Sequence, residues 1–333
     1  MKSIKKVLVT GSEGFIGSEV VKYLLNKGIK VNAFILYNFQ NDYGYLSRIK
    51  HKNLKFFFGD IRDEKTIERA LENSKYIINL AALIGIPYSY EAPKSYLETN
   101  VYGTLNLLNI AIKKNVKKFI HTSTSEVYGT AQYVPIDEMH PLNAQSPYAA
   151  SKIAADQLVD SFYKSFGIQT TIIRPFNTFG PKQSMRAIIP TIINQAINSD
   201  TIILGNVDTR RDFTYINDTA KAFYCALNLS PKFSGMTFNL GTGIDFSILE
   251  IIKFVSEILN KKLKIKINKN RIRPKKSEVL ILRSKNKLAH EILKWEPDYN
   301  GKSGFKRGLV KTIKYIKLNN NEFNKLKSSK YFT

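Results

Sequence analysis

A single cysteine, Cys225, and four histidines (His51, His121, His140 and His290) are all that 333 residues supply of the soft metal ligands. One cysteine excludes an intramolecular disulfide and fits a reducing compartment. It lies in the apolar stretch Ala220 to Leu229, where a small buried hydrophobe is expected. The histidines share no metal-ligand spacing with one another or with Cys225, so no metal is expected. Long apolar runs are also missing. Val7-Leu8-Val9 is too short for a secretion signal and leads straight into glycines, and no later window suits a bilayer span. The expected compartment is the cytoplasm. Acidic residues are scarce beside basic ones, 27 against 51, giving a formal charge of +24. The lysines are spread along the whole chain, which reads as solvated surface rather than a nucleic-acid or membrane patch. The densest cluster, Lys261 to Lys266, alternates Lys with apolar residues and predicts a strand with one wet face.

What is present is a regular alternation in the first half. Apolar runs Val7 to Thr10, Ile29 to Leu36, Leu54 to Phe58, Tyr76 to Leu80, Phe119 to Thr122 and Thr170 to Ile173 predict strands. Between them Phe15 to Asn26, Lys65 to Leu71 (with Asp63 as N-cap), Lys94 to Lys113 and Tyr148 to Phe166 predict helices. This is the pattern of an α/β doubly wound parallel sheet, a Rossmann fold. Residues 1–175 form the dinucleotide-binding domain on this reading. Residues 176–318 form mainly a smaller C-terminal α/β substrate domain, with some segments returning to the core, and helices at Ile188 to Asn198, Asp218 to Leu229 and Ser247 to Leu259. Residues 319–333 read as a frayed tail.

Between the first strand and helix stands Gly11-Ser-Glu-Gly14-Phe15-Ile16-Gly17. Glycines there permit a tight turn and close approach of a pyrophosphate to a helix N-terminus. The spacing is that of short-chain dehydrogenase/reductases. At the end of the second strand an acid would select NAD and a base NADP. Asn38 is neither; it leans to NAD and leaves NADP open. Asp60-Ile61 falls where an adenine ring would be held, and Ala81-Ala82 would line the cofactor.

Tyr148-Ala-Ala-Ser-Lys152 places a phenol and an ammonium four residues apart on one helical face. A nearby cation is expected to lower the tyrosine pKa toward working pH, so that Tyr148 removes a hydroxyl proton as hydride leaves the same carbon. The strand end His121-Thr-Ser-Thr124-Ser125-Glu126 offers Thr124 to hold the substrate oxygen. Glu126 is the residue that a simple redox or epimerising site would not need. A dehydrating site would, because a proton must leave the carbon beside the new ketone.

These motifs, with the longer runs Ala81 to Tyr90, Thr122 to Ile136 and Arg174 to Pro181, resemble the extended short-chain dehydrogenase/reductases of the NAD-dependent epimerase/dehydratase family. More narrowly the chain is similar to LegB-type nucleotide-sugar 4,6-dehydratases of the legionaminic acid pathway. The resemblance implies an NDP-N-acetylhexosamine substrate, GDP- or UDP-N-acetylglucosamine, and a homodimer built on the helices around Leu105 and Tyr148. It implies that Thr124 bonds the sugar 4-hydroxyl, Tyr148 and Lys152 manage hydride transfer, and Glu126 takes the C5 proton. Ser125 stands where glucose-type dehydratases carry the aspartate that protonates the leaving hydroxyl, and Glu126 could serve both steps. Asn177, Arg211 and Arg273 correspond to residues that meet the substrate diphosphate. The alternatives are a nucleotide-sugar decarboxylase, a 4-epimerase, and a scaffold that has kept the fold.

Overall fold

The structure, a computed structural model, describes residues 4–268 and 279–320. In chain order it begins with β1 (Lys6–Thr10), α1 (Phe15–Asn26), β2 (Lys30–Leu36), β3 (Leu54–Gly59), α2 (Glu64–Leu71) and β4 (Tyr76–Asn79). There follow α3 (Ile86–Glu91), α4 (Pro93–Tyr96), α5 (Gly103–Lys113), β5 (Lys118–Thr122), α6 (Pro147–Phe166), β6 (Thr170–Pro175) and β7 (Asn177–Phe179). The rest is α7 (Ile188–Asn198), β8 (Thr201–Leu204), β9 (Arg210–Tyr215), α8 (Ile216–Leu227), β10 (Thr237–Leu240) and β11 (Asp245–Ser247). It closes with α9 (Ile248–Leu259), β12 (Lys264–Ile267), β13 (Ile281–Leu282), α10 (Lys287–Glu291) and α11 (Gly301–Leu318).

Seven strands form one sheet in the order β10-β6-β5-β4-β1-β2-β3, every pair parallel. Such strands are buried on both faces, which explains their continuous Val, Ile and Phe runs. One face packs under α1 and α8, the other under α2, α5 and α6. The order reverses between β1 and β4, and this switch point opens the crevice at the carboxyl ends of the strands.

The chain leaves the sheet abruptly. β6 ends at Pro175, and after Phe176 the chain is already in β7, paired with β9 of a second small sheet. That lobe has its own core, where Phe179, Phe213, Phe246 and Phe305 pack among α7, α9 and α11. Phe15 and Ile16 of α1 pack against the same core, so the glycine turn touches both lobes. The return of β10 to the edge of the large sheet stitches the lobes together.

Two expectations need correction. The helix read over Lys94 to Lys113 is broken: α4 runs into a π-helical turn, Leu97–Tyr102, before α5. Asn100 in that turn explains the irregularity. Its Oδ1 accepts from Leu83 N (2.9 Å), and its Nδ2 donates to Leu83 O (3.0 Å) and to Ser151 Oγ (2.9 Å), tying the loop after β4 to α6. The Lys/Ile alternation does form a strand, β12, but all four residues are exposed, because it pairs only with β8. Cys225, expected in a core, is partly buried in α8. No helix of the described residues is long and apolar enough to cross a membrane.

Candidate active site

The predicted cofactor and catalytic residues sit after the ends of strands or on the helices that follow, while Asn177 and Arg211 lie within β7 and β9. Gly11 has φ +62, which a side chain resists, and a Cβ on it would lie 2.8 Å from Ala81 N. A Cβ on Gly17 would lie 2.0 Å from Gly11 O, so α1 can pack this close to β1 only with glycine there. Gly14 is the N-cap of α1 and offers no side-chain cap to its first-turn amides. A Cβ there would meet only Gly11 O, at 3.4 Å. That combination, unspent amides beneath open space, fits a dinucleotide pyrophosphate. Thr10 Oγ1 accepts from Leu80 N and Ala81 N (both 3.1 Å), which fixes Ala81-Ala82 beside the turn.

Asn38 and Asp60 are placed less simply. Asn38 is folded into its own loop, its Nδ2 donating to Leu36 O (3.2 Å) and Asp42 O (3.1 Å) and its Oδ1 accepting from Asp42 N (2.7 Å). The expected ribose contact from this amide is thus replaced by a local turn. Asp60 accepts a fork from Arg62, Nε at 3.0 Å and Nη2 at 2.6 Å, and this hydrogen-bonded cation holds its carboxyl below the usual range. Ile61 is buried against Gly103 of α5, with Asn106 Nδ2 on its carbonyl at 3.1 Å.

The hydride pair lies on α6, which starts with Ser146 as N-cap (Ala149 N to Ser146 Oγ, 3.1 Å) and Pro147 in its first turn. Tyr148 is buried, hydrogen-bonded to Thr124, and packed edge-on against Tyr96 at 6.2 Å. Thr124 in turn caps a short 3-10 turn, Ser125–Tyr128, by accepting from Glu126 N (3.2 Å). Glu126 is half-buried and faces a cleft lined also by Ile86, Tyr90, Gln145, Ser146 and Ala149. Ser125 is buried beneath it. The three groups expected to act on one sugar therefore converge.

The expected pKa effect on Tyr148 is not what the geometry gives. Burial pushes the phenol well up, the Thr124 hydrogen bond opposes this, and the negative charge of Glu126 adds to the rise. Lys152 donates to the carbonyl of Thr122 instead, and burial pulls its own pKa down to about 8, opposed by Asp156. Desolvation is the largest influence on both groups.

Beneath the pair lies a network that sequence reasoning missed. Asp156, one turn beyond Lys152 on α6, accepts from Ser123 Oγ (2.8 Å) and from Arg174 Nε and Nη2 (3.1 and 3.0 Å). Arg174 Nη1 donates to Tyr128 Oη (3.0 Å), whose hydroxyl donates to Asn239 Oδ1 (2.7 Å) on β10. His121 Nε2 stands 3.5 Å from Asp156 Oδ1, its pKa lowered well below normal by burial. The i, i+4, i+8 series Tyr148, Lys152, Asp156 on one helix was the signal available in the sequence.

The residues expected at the diphosphate are spread out. Asn177, at the crossing into the second lobe, has a buried Oδ1 with no hydrogen-bond partner. Arg211 is buried on β9, donating from Nη1 to Arg210 O (3.0 Å) and Leu280 O (3.2 Å). Arg273 lies outside the described residues. Among the described residues no group of three His, Cys, Asp or Glu side chains could hold a metal ion.

A doubly wound sheet, a glycine turn and a Tyr-x-x-x-Lys helix define an enzyme of the short-chain dehydrogenase/reductase class. Residues 8–308 match the model of the GDP-mannose 4,6 dehydratase family, and the chain belongs to that family. It is similar to the low-salt glycan biosynthesis protein Agl12 of Haloferax volcanii, 34% identical over 75% of this chain and 81% of that one. It is also similar to a putative UDP-glucose 4-epimerase of Methanocaldococcus jannaschii, 32% identical over 94% and 99% of the two chains. The crystal structure of dTDP-glucose 4,6-dehydratase from Bacillus anthracis in complex with NAD superposes with a TM-score of 0.82, at 26% identity over 95% and 98% of the chains. Dehydratases and 4-epimerases of nucleotide sugars thus both stand among its relatives.

Proposed function

We propose that the chain is a nucleotide-sugar 4,6-dehydratase of the LegB type, converting GDP- or UDP-N-acetylglucosamine to the 4-keto-6-deoxy sugar with no net redox change. The observation that carries this reading is Glu126 in the cleft, on the same short turn that Thr124 caps and beside Tyr148. The Gly11 to Gly17 turn and Ala81-Ala82 would hold NAD, which would supply a reversible hydride acceptor for C4.

Each side chain then has a task. Thr124 and Tyr148 share the 4-hydroxyl, and Tyr148 removes its proton. Because burial disfavours tyrosinate, the proton moves most easily when Lys152 turns from the Thr122 carbonyl toward the phenol. The 4-ketone acidifies C5-H, and Glu126 takes that proton. The same carboxyl, now protonated, can deliver it to the departing 6-hydroxyl, since buried Ser125 is no acid; when hydride comes back to C6, C5 takes up one proton, which balances the one Tyr148 removed from the 4-hydroxyl. Asn177, Arg211 and Arg273 are assigned to the diphosphate end. The exposed Leu97, Tyr102 and Phe166 beside α5 and α6 suit the proposed homodimer face.

Incubation with each sugar nucleotide should yield a product lighter by one water. With Glu126→Gln that product should fall by roughly 10²- to 10⁴-fold, the usual worth of a general acid–base group. Reduced-nicotinamide absorbance from C4 oxidation should persist. A Glu126→Gln enzyme that inverts C4 unhindered would establish the 4-epimerase instead, and release of CO2 from UDP-glucuronate the decarboxylase.

A further inference from the structure

Glu13 lies between the first two glycines of the turn, where neither the proposed chemistry nor the helix start has a use for an acid. Its main chain is clamped from above: Tyr45 N donates to Glu13 O (3.1 Å), and a Cβ on Gly44 would lie 2.8 Å from that oxygen. The loop after β2 is therefore seated on this residue. The side chain reaches sideways to the end of β2, where Oε1 accepts from Leu36 N at 3.0 Å. Oε2 is out of contact with solvent and has no hydrogen-bond partner among the described residues. Burial correspondingly raises the carboxyl pKa, opposed by the Leu36 amide.

The end of β2 is where a Rossmann enzyme presents a carboxylate to the adenosine ribose. This chain has none in Leu36-Tyr37-Asn38-Phe39-Gln40-Asn41. Asp42, the first acid beyond, accepts from Gly44 N (2.8 Å), and Asn38 is spent within the loop. The carboxylate is nevertheless at that place, delivered from the glycine turn after the neighbouring strand β1.

We propose that Glu13 is the group that receives the adenosine ribose hydroxyls and turns away a dinucleotide carrying a 2′-phosphate. Two hydroxyl donors satisfy an oxygen that otherwise lacks a partner. A phosphate dianion set against the same carboxylate meets like charge in a poorly solvated place. Tyr37 and Phe39, just beyond the end of β2, are 68% and 84% exposed, so neither is anchored in the core there. The inference rests on the dinucleotide reading above and is indifferent to whether the sugar is dehydrated or epimerised.

The test is equilibrium titration of the nucleotide-stripped, full-length protein with NADH and with NADPH, followed by nicotinamide fluorescence. The wild type should prefer NADH by on the order of 100-fold. Glu13→Gln should narrow that ratio by about tenfold or more, chiefly through tighter NADPH binding, while Asn38→Ala leaves the ratio where it was. A Glu13→Gln protein with unchanged melting temperature and unchanged ratio would overturn the proposal, as would control of the ratio by Asn38. Should Glu13→Gln fail to fold, the dinucleotide released on denaturing the wild type decides: NAD supports the assignment and NADP overturns it. Failure of the wild type to bind either nucleotide would bring down the dinucleotide reading itself, whereas equal binding of both would remove only the role of Glu13.

Discussion

The two lobes bury their carboxylates in different ways. Under the reaction centre, Asp156 is matched by a cation, with the Arg174 fork at 3.0–3.1 Å and Ser123 at 2.8 Å. In the second lobe, the donors to Asp212 among the described residues are all neutral: Thr242 N and Oγ1 (both 2.8 Å), Gly243 N (2.9 Å) and Ser284 N (3.2 Å). Asp218, where α8 leaves the second lobe to pack on the large sheet, likewise accepts from Asp298 N (2.8 Å) and Tyr299 N (2.9 Å). A charge pair fixes two side chains at a defined spot, which suits a site that must hold Lys152 and Tyr148 in register. A cradle of amides gathers distant loops instead. Asp212 ties β9 to the β10–β11 turn and to β13, and Asp218 ties α8 to the start of α11.

The comparison predicts unequal responses to substitution. Arg174→Met leaves Asp156 buried without its fork and should cost about 3–5 kcal/mol in urea unfolding, the usual result of breaking a buried pair from one side. Adding Asp156→Asn should recover part of that loss. If the single variant unfolds like the wild type, the pair has no mechanical role and the contrast between the lobes fails.

Asp212 should show itself through pH. Burial lifts its pKa from 3.8 to about 6. Between these values the folded state holds a proton that the unfolded state has released, so stability from this group falls as pH rises from about 4 to 6. The full swing is about 3 kcal/mol at most. Asp212→Asn should lower stability overall and remove that portion of the slope. Urea midpoints for both proteins from acid to neutral pH would check this, and parallel profiles would refute it.

Much of both lobes was legible because the signals are local. Phe15–Asn26 and Ile188–Asn198 fall where periodicity puts them, and Asp63 caps α2 through Lys65 N (3.0 Å). Gly11, Gly14, Gly17, Tyr148 and Lys152 are readable because turn geometry and helical spacing are properties of a few adjacent residues. The π-helical turn at Leu97–Tyr102 was not, since its cause is the tertiary engagement of Asn100 with Leu83 and Ser151. Nor could spacing reveal that Lys152 rests on Thr122, that Asn38 turns inward, or that Glu13 occupies the vacated place at the end of β2. Those outcomes depend on desolvation and on loops that meet only in the fold. The diphosphate end was read from resemblance, and there the residues come from three separate segments.

Asp218 should give the smallest response of the same kind. Its pKa is also raised to about 6 by burial, and charged neighbours act on it as well. The negative charge of Asp298 adds to the rise and Lys221 opposes it, and these two are themselves paired at 2.7 Å with Asp298 exposed. A partly solvated pair of this kind is screened by salt, whereas the sealed cradle of Asp212 is not. Asp218→Asn should therefore remove a shallower piece of the acid-side slope than Asp212→Asn, and the piece should change between low and high salt. The Asp212 contribution should be the same at both. If the two variants respond alike to salt, the fold does not distinguish a sealed amide cradle from one open to neighbouring charge, and only the contrast with Asp156 would stand.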